Sequence, residues 1–590
     1  MPNALLVYPE YPPSYWGVNF ALEIFRIKAA FPPLGLLTVA AMFPPKYNLR
    51  VVDMNVAPLE DSDLEWADLV FTSSMVVQRE SLHSVTQRCN RAGVPVMAGG
   101  PYPTTYHGEI SGVDHFVLDE VEETFVDFLR DLENGTAAAI YREPRKPDVT
   151  RTPVPRFDLI DMKAYYSMSI QFSRGCPFDC EFCDITKLYG RVPRTKLPDQ
   201  VLDEFELLYR LGWRSHVFLV DDNFIGNKRE AMKLVRAIAE WQKTRGYPFS
   251  LFTEASVNLA RMDELMDGMV EAGFDSVFLG IETPNPKALR KMKKPQNVSK
   301  REENYLFNCV RKIQQKGMRV DGGFILGLDD DDEGAFDAQI DFIQEVGIPM
   351  AMVGLLNALK DTNLYDRLNR ENRLLEESFG SSTDRVLNLT SVNVALNFKP
   401  EMDVETLMEG YRRVITTIYD PTLENYFLRC LTLLEHLRPI PHLLKPMSRN
   451  ALFLALMSVR QKLSDKQIPA YTKFIAKVSR DHPGLLPEAI RLAALGYHFE
   501  KITSQQIAIG DFKQFLATEL GRFKEAVSQD IRDVEEIEKR KHALIARTDA
   551  RFASIPDEFR YFGDGIDDAL ELFRSAVSAQ VDQFTHSAAM

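Results

Sequence analysis

Short apolar segments alternate with stretches of helical periodicity through the first 140 residues of the chain. The apolar segments include NALLVYP, NLRVVDMN, ADLVFTSS, VPVMAGGP and DHFVLDE, and a polar helix is predicted over 81–92. This rhythm is typical of a doubly wound parallel sheet with helices on both faces. We therefore predict an α/β domain over residues 1–140.

The pattern changes between Ala138 and Arg156, where the run YREPRKPDVTRTPVPR is rich in Pro and Arg. Such a composition favours an extended linker, which we assign to residues 141–164. Strand and helix patterns then alternate again and predict a partial (β/α)6 barrel over residues 165–398. Its six strands are expected in YSMSIQFSRG, HVFLVDDN, FSLFTEAS, SVFLGIET, VDGGFILG and AMVGLLNA.

Long helical patterns replace this alternation beyond Lys399, so residues 399–590 are predicted to form an α-helical domain. From Phe512 to Ile545 apolar residues recur every three or four positions, which predicts one helix with a buried stripe. Packing of this stripe on the chain itself is favoured over a partner helix or a membrane surface.

The composition argues against nucleic-acid binding, a membrane span and secretion. A net charge of −14 without any clustered Lys and Arg argues against nucleic acid as a partner. No apolar run approaches the roughly 20 residues of a membrane span, and the N-terminus lacks the basic region of a signal peptide. We predict a cytoplasmic protein with no integral membrane segment, and contact with a membrane surface stays open.

The most informative motif is CPFDCEFC, which directly follows the first predicted barrel strand. Structural zinc sites usually have four ligands in two pairs, and no second CxxC occurs in this chain. Three thiolates on a 4Fe-4S cluster leave one iron free to bind a small molecule. We predict that Cys176, Cys180 and Cys183 hold such a cluster, whereas Cys89, Cys309 and Cys430 are buried thiols without an assigned role.

Polar residues and glycines follow the strands of the N-terminal domain. Ligands of doubly wound sheets bind beyond the carboxyl ends of the strands, so a crevice for a cofactor is expected there. No GxGxxG follows the first strand, which disfavours a dinucleotide, and a glycine pair alone can also be a bare turn. The residues at these ends are Pro9, Ser73, Ser74, Gly99, Gly100, Asp119 and Glu120.

The CxxxCxxC spacing, with Phe182 before the last cysteine, resembles the radical S-adenosylmethionine superfamily. The resemblance implies that S-adenosylmethionine chelates the open iron and is cleaved to a 5'-deoxyadenosyl radical. It also implies contacts to the methionine amine, to the ribose and to the adenine from the ends of the later strands. By position these are Asp221, Asp222 and Asn223 for the amine, Glu254, Glu282 and Thr283 for the ribose, and Gly323, Ile325, Gly327 and Asp330 for the adenine.

This sequence departs from the family pattern at two of these positions. The second-strand motif is VDDN, whereas the family more often has Gly-Gly-Glu, and Asp330 stands where Glu is more common.

The segments AFPPLGLLTVAA, AGGPYPT and VDHFVLDEVEETF make the N-terminal domain similar to the Rossmann-like, cobalamin-binding half of cobalamin-dependent radical enzymes. No DxHxxG motif is present, so the resemblance implies base-off cobalamin with no protein imidazole on cobalt. The family's usual Gly-Glu is Asp119-Glu120 here. The cobalamin contacts implied are Ser73, Ser74, Gly99, Gly100 and Glu120.

The whole layout is similar to the subgroup that contains the hopanoid C-methylases. It implies a radical C-methyltransferase that acts at an unactivated carbon of an apolar small molecule such as a lipid. It also implies an external electron donor such as flavodoxin or ferredoxin. Two alternatives stay open: a radical cyclase or oxidoreductase with the same cofactors, and a non-catalytic cobalamin sensor. A methylthiotransferase would need further cysteines near the N-terminus, and only Cys89 is present.

Overall fold

The computed structural model describes residues 1–143, 145–375, 396–444, 448–529, 534–555 and 566–589. The N-terminal sheet has six parallel strands in the order β2-β1-β3-β4-β5-β6. These strands are β1 (Asn3–Tyr8), β2 (Asn48–Asp53), β3 (Leu69–Ser73), β4 (Val96–Gly99), β5 (His115–Leu118) and β6 (Ile140–Arg142).

Helices cover both faces of this sheet, because successive side chains of a strand point to opposite faces. Leu6 packs in one apolar cluster and its neighbour Leu5 in another. The doubly wound α/β fold predicted from the sequence is therefore confirmed. The helices are α1 (Asn19–Ile24), α2 (Leu34–Ala40), α3 (Asp61–Trp66), α4 (Arg79–Ala92), α5 (Pro101–Tyr106) and α6 (Thr124–Glu133).

A second sheet of six parallel strands curves into the partial barrel, in the order β14-β13-β12-β11-β10-β7. Each of the six strands overlaps one of the six predicted segments, although β12 begins two residues and β13 one residue before its segment. The antiparallel pair β8 and β9 stands apart. The strands are β7 (Ser167–Ile170), β8 (Ser173–Arg174), β9 (Arg194–Thr195), β10 (His216–Leu219), β11 (Ser250–Ala255), β12 (Phe274–Glu282), β13 (Arg319–Leu326) and β14 (Ala351–Leu355).

Helices between these strands carry the chain back to the amino end of the next strand, as parallel pairing requires. They are α7 (Ile185–Leu188), α8 (Pro198–Arg210), α9 (Lys228–Thr244), α10 (Asp263–Ala272), α11 (Pro286–Lys291), α12 (Tyr305–Lys316) and α13 (Gly334–Val346). Helix α14 (Asn363–Arg370) follows β14.

The C-terminal part is helical, as predicted, but the stripe predicted as one helix is divided between two. Leu516 and Leu520 lie on one helix and Ile537 on the next, and all three are buried in one cluster of the chain itself. Ile531 lies outside the described residues. The helices are α15 (Val404–Ile418), α16 (Glu424–His436), α17 (Arg449–Lys462), α18 (Ile468–Asp481), α19 (Leu486–Gln529), α20 (Val534–Ala553) and α21 (Ile566–Ala589).

Two segments of the N-terminal region differ from the predicted division of the chain. Strand β6 (Ile140–Arg142) spans the predicted boundary between the α/β domain and the linker, and it pairs with β5 as the edge strand of the sheet. Residues between β1 and α2 leave their own sheet and pack against two other parts of the chain. Ala29 bridges Tyr165, just before barrel strand β7, and the Tyr15 hydroxyl lies 2.8 Å from Oγ1 of Thr503 on α19. The predicted domain boundaries remain predictions.

In the described part of the chain, none of the helices has both the length and the apolar character that crossing a membrane requires.

Helix α19 approaches α16 closely at one glycine, which gives a test of this packing. A Cβ atom at Gly496 would lie 2.5 Å from the ring of Tyr426, which is fully buried, whereas a Cβ atom at Gly521 of the same helix meets nothing within 4 Å. Gly496→Ala should lower the free energy of unfolding by about 1–3 kcal/mol. Gly521→Ala should raise it by about 0.5–1 kcal/mol, since alanine favours a helix.

Urea denaturation of the two variants and the parent chain measures both effects. Equal effects of the two substitutions would contradict the close packing of α19 on α16.

Candidate active site

The three clustered cysteines lie on the loop between β8 and α7, at the carboxyl edge of the barrel. Gly175 begins the loop with a φ of +93°, and a Cβ there would lie 2.8 Å from the carbonyl oxygen of Gly190. The backbone N–H of Cys176 donates to that same carbonyl at 3.2 Å. This hydrogen bond closes the loop on itself, and only glycine fits its first position.

All three thiols are half-buried, and residues of other barrel loops reach two of them. The amide nitrogen of Asn223 lies 3.7 Å from Sγ of Cys176, and that of Gln296 lies 3.8 Å from Sγ of Cys180. Burial raises the pKa of each thiol, that of Cys183 to about 12. Burial thus makes the thiolates costly to form. A metal bound in place of the protons would offset this cost, because the thiolate is the form that binds metals.

A buried ammonium lies beside these thiols. Lys294 forms an ion pair with Glu282, and its charge lowers the pKa of Cys176 and Cys180, although burial outweighs it in both. Burial opposes the charge of Lys294 itself, but Glu282 and the thiols together hold its pKa above the ordinary value. The loop therefore offers three thiolates and a compensating cation.

The chemistry of this donor set fits a 4Fe-4S cluster, because each of three thiolates on one short loop can bind a different iron. A structural zinc ion usually takes four ligands in two pairs.

The predicted methionine-amine residues follow β10 and have separate partners. Asp221 is buried and accepts from the backbone N–H groups of Phe172 and Ser173, at 2.8 and 3.0 Å. Asp222 accepts from Gly175 N–H at 2.8 Å, and so positions the start of the cysteine loop. The carboxylate of Asp221 therefore has fewer free acceptor positions for a ligand than that of Asp222.

Three carboxyl groups lie close together at this edge. Burial raises the pKa of Asp221 to about 6, and that of Asp222 and Glu254 to about 7. Repulsion between them adds to the shift, since the charges of Asp222 and Asp221 raise the pKa of Glu254 further. Such a desolvated group of carboxylates favours a cationic ligand.

The predicted ribose residues end β12. Glu282 has a φ of +66°, which is costly for a residue with a side chain, and its carboxylate is already paired with Lys294. Thr283 is buried, and its hydroxyl accepts from the N–H of Asn285 at 3.2 Å.

Of the predicted adenine residues, Gly323 and Ile325 lie within β13, and Gly327 and Asp330 follow it. Only Asp330 lines the small cavity of about 20 Å³ beside Phe182. Asp330 is paired with Lys287 at 2.8 Å, and the backbone oxygen of Ile325 accepts from Gln339 at 2.8 Å. Gly323 and Gly327 lie against side chains, where added Cβ atoms would be 3.4 Å from Phe278 and 3.0 Å from Leu407.

The predicted cobalamin residues at the edge of the N-terminal sheet pack tightly. A Cβ at Gly100, where φ is +93°, would lie 2.5 Å from Oγ of Ser73, and one at Gly99 would lie 2.8 Å from a carbonyl oxygen of β5. Oγ of Ser74 and Oγ1 of Thr72 are buried without a hydrogen-bond partner in the described structure. Buried hydroxyl groups that lack a hydrogen-bond partner would be satisfied by a polar ligand at this edge.

Glu120 has other partners than the predicted cofactor. Its carboxylate accepts from Arg174 at 2.8 Å and from Arg194 at 2.8 and 3.0 Å, and Glu122 pairs with Arg174 at 2.7 Å. Arg174 and Arg194 flank the cysteine loop, so these ion pairs join the carboxyl edges of the two sheets. A second contact, between Lys360 and Glu109 at 3.1 Å, crosses the same boundary.

Sequence reasoning missed four residues of this site. Lys294 and Gln296 lie in KMKKPQN, a lysine-rich turn that looks like an ordinary solvated surface. Arg174 precedes the cysteine motif and Arg194 follows it, but their partners come from another domain. No local pattern marks such a pair.

Three family matches cover most of the chain. They are the B12 binding domain over residues 24–129, the radical SAM superfamily over 170–343, and a domain of unknown function, DUF4070, over 362–509.

Individual proteins match in the same regions. The chain is 46% identical over 421 residues to the uncharacterized methyltransferase sll1242 of a Synechocystis species, covering 71% of this chain and 76% of the relative. It is 35% identical over 409 residues to the hopanoid C-2 methylase of Rhodopseudomonas palustris, covering 67% and 77%. The structure of the methyltransferase TsrM from Kitasatospora setae, with cobalamin and a 4Fe-4S cluster bound, has a TM-score of 0.54 at 14% identity, covering 84% of this chain and 99% of that one.

The carboxyl group of Glu254 gives a pH test of the site. The folded protein keeps its proton up to a pH of about 7, whereas the unfolded chain releases it near 4.5. This raised pKa means that stability is lost as the pH rises through that window. Glu254→Gln should therefore raise the Tm at pH 8 and change it little at pH 5.

Thermal unfolding at both pH values measures the effect, with Glu271→Gln, an exposed position on α10, as the control. An identical gain at the two pH values would show that the charge of Glu254 is not the cause.

Proposed function

The chain belongs to the radical S-adenosylmethionine proteins that carry a B12-binding domain, the family of the hopanoid C-2 methylase, and from this premise we propose a radical C-methyltransferase. Its substrate is a small molecule with an unactivated carbon at the reacting position. One observation supports the proposal most directly. The ion pairs of Glu120 with Arg174 and Arg194 hold the carboxyl edges of the two sheets next to each other.

The family's cofactors are a 4Fe-4S cluster, S-adenosylmethionine and cobalamin, in agreement with the sequence prediction. When bound, the cluster supplies the electron that cleaves S-adenosylmethionine, and cobalamin supplies a carrier for the methyl group. The proposed cluster ligands are Cys176, Cys180 and Cys183, supported by their position at the carboxyl edge of the barrel.

Side chains of the protein are proposed to bind and orient S-adenosylmethionine and cobalamin. Asp222 and Glu254 present carboxylates toward a cationic cosubstrate, and Asn223 links Cys176 to Ser256 on the neighbouring strand end. Asp330, which lies close to Phe182 after the end of β13, is proposed to lie near the adenine. The hydroxyl of Ser74 and the glycines at the end of β4 are proposed to face cobalamin.

An apolar substrate of the lipid type is part of the proposal. It is supported by the name of the hopanoid relative and by the aromatic lining of the barrel interior. Electrons come from an external donor of the flavodoxin or ferredoxin type. Contact with a membrane surface would bring such a substrate to the barrel.

Transfer of label from methyl-labelled S-adenosylmethionine tests this function. The reconstituted chain, with cobalamin, a reductant and a pentacyclic triterpenoid under anaerobic conditions, should label the triterpenoid and form 5'-deoxyadenosine and S-adenosylhomocysteine. Cys176→Ala should lose all three products, because the remaining two thiols cannot hold the cluster. Cys309→Ala is the matched control, since that thiol is buried in α12, outside the cysteine loop.

The products separate the alternatives. 5'-Deoxyadenosine without methyl transfer would favour a radical cyclase or oxidoreductase. The absence of both nucleoside products would contradict an enzyme of this class and favour a cobalamin sensor.

A further inference from the structure

Helix α17 (Arg449–Lys462) has apolar residues on its outer face as well as on its inner face. On the inner face, Val459 belongs to the main apolar cluster of the chain and Leu452 packs against that cluster. On the outer face, Phe453 is 63% exposed and Leu454 is 64% exposed. A helix that packs only on its own chain normally turns polar residues to this side. The outer face of α17 is therefore a candidate contact surface.

The exposed apolar residues form a short stripe with a positive charge at each end. Residues three or four positions apart lie on the same face of a helix, which places Arg449 next to Phe453, and Met457 between Leu454 and Arg460. Both arginines are exposed, and neither has an ion pair within the described residues. The helix contains no Asp or Glu. We call the side chains of Arg449, Phe453, Leu454, Met457 and Arg460 the α17 stripe.

The region around the stripe is positively charged, although the chain as a whole is not. Residues 449–481 include seven Lys or Arg and two Asp, a net charge of +5 in a chain of −14. Helix α18 carries part of this charge beside α17, since the Tyr471 hydroxyl donates to the backbone oxygen of Leu456 at 2.9 Å. Lys466 and Lys473 are exposed and have no ion pair in the part of the chain that the structure describes. The stripe thus lies in a local positive field that attracts anions.

Helix α17 lies at the amino ends of the barrel strands. Its inner residues Leu452 and Ala455 line an open surface pocket of about 650 Å³ together with His216 and Arg319, the first residues of β10 and β13. The cysteine loop follows β8 at the opposite, carboxyl edge of the barrel. An electron donor must approach the proposed cluster, so the outer face of α17 does not fit an electron donor.

The composition of the stripe distinguishes between the surfaces that could cover it. Nucleic acid offers phosphates to the guanidinium groups but no matching surface to Leu454 and Met457. A stable protein interface buries about 800 Å² on each side around a fully buried apolar core, whereas the stripe has three apolar side chains on one helix. An anionic bilayer accepts both parts, because Phe and Leu enter its headgroup region while Arg reaches the lipid phosphates.

We propose that the α17 stripe docks the protein on an anionic lipid bilayer, with Phe453 and Leu454 inserted and with Arg449 and Arg460 paired with phosphates. Binding is peripheral and reversible, because a few inserted side chains hold a protein far less strongly than a membrane span. The purpose of the contact, which is access to an apolar substrate, rests on the proposed function. The contact itself rests on the stripe and on the charge around it.

Sedimentation of the reconstituted full chain with unilamellar vesicles tests the charged part of this surface. The vesicles contain phosphatidylcholine alone or an equimolar mixture with phosphatidylglycerol. The parent chain should bind the anionic vesicles about tenfold more tightly than the neutral ones, and less tightly as the salt concentration rises. Arg449→Gln with Arg460→Gln should weaken this binding roughly fivefold for each charge removed. Arg210→Gln with Lys243→Gln, at exposed positions on α8 and α9, is the charge-matched control and should bind like the parent.

The same assay tests the apolar part. Phe453→Ser with Leu454→Ser should weaken binding to both kinds of vesicle by about tenfold or more, because it removes the side chains that insert. Val126→Ser, at a position on α6 that is 60% exposed, is the matched control and should bind like the parent. Brominated lipids should quench the added fluorescence of Phe453→Trp and leave that of Val126→Trp unchanged. Thermal unfolding of each variant establishes that it is folded.

Absence of binding of the parent chain to the anionic vesicles would overturn the proposal. So would unchanged binding of the folded double variant with Phe453→Ser and Leu454→Ser. A parent dimer that this double variant converts to a monomer in analytical ultracentrifugation would also overturn it, since the stripe would then contact a second copy of the chain. Vesicle binding by a parent chain that transfers no methyl group would overturn the proposed function alone and leave the docking surface standing.

Discussion

The structure depends on one set of buried ion pairs, in which Glu120 and Glu122 of the N-terminal sheet hold Arg174 and Arg194 beside the cysteine loop. Removing charges from water is costly, so such pairs persist only where each partner is fully engaged. Here each guanidinium has carboxylate partners, and the carboxylates are almost inaccessible to solvent. The pairs fix the two carboxyl edges against each other, and the sites proposed for the cofactors at these edges therefore face one another.

At these edges, the buried groups of each subsite are chemically matched to the ligand proposed there. The thiols carry raised pKa values from burial, which a metal relieves, and the carboxyls of Asp222 and Glu254 carry raised pKa values that a cationic cosubstrate relieves. Lys294 supplies positive charge beside the thiols. The chain thus places a strongly charged group of side chains at the carboxyl edge of a barrel whose interior is mainly apolar.

Local sequence patterns predicted the strands, their alternation with helices and the cysteine cluster, because these features follow from hydrophobic periodicity and short spacing. The pairing of β6 escaped prediction, since three residues carry little periodicity, and so did the division of the C-terminal stripe between α19 and α20. The partners of Glu120 were missed for a different reason: an ion pair across 54 positions leaves no local signal. Lys294 was missed because its burial is decided by tertiary packing. Local periodicity was enough to predict the strands and helices. The ion pairs between distant residues depend on tertiary contacts, which no local pattern reports.

The central claim is that the two carboxyl edges hold their cofactors face to face, and electron paramagnetic resonance of the chain loaded with cob(II)alamin and a reduced cluster tests it most directly. The account predicts dipolar coupling between the two spins, weakened in Glu120→Gln and unchanged in Glu123→Gln, whose carboxylate is exposed and pairs with Arg151. Two uncoupled signals from fully loaded, folded protein would contradict the account.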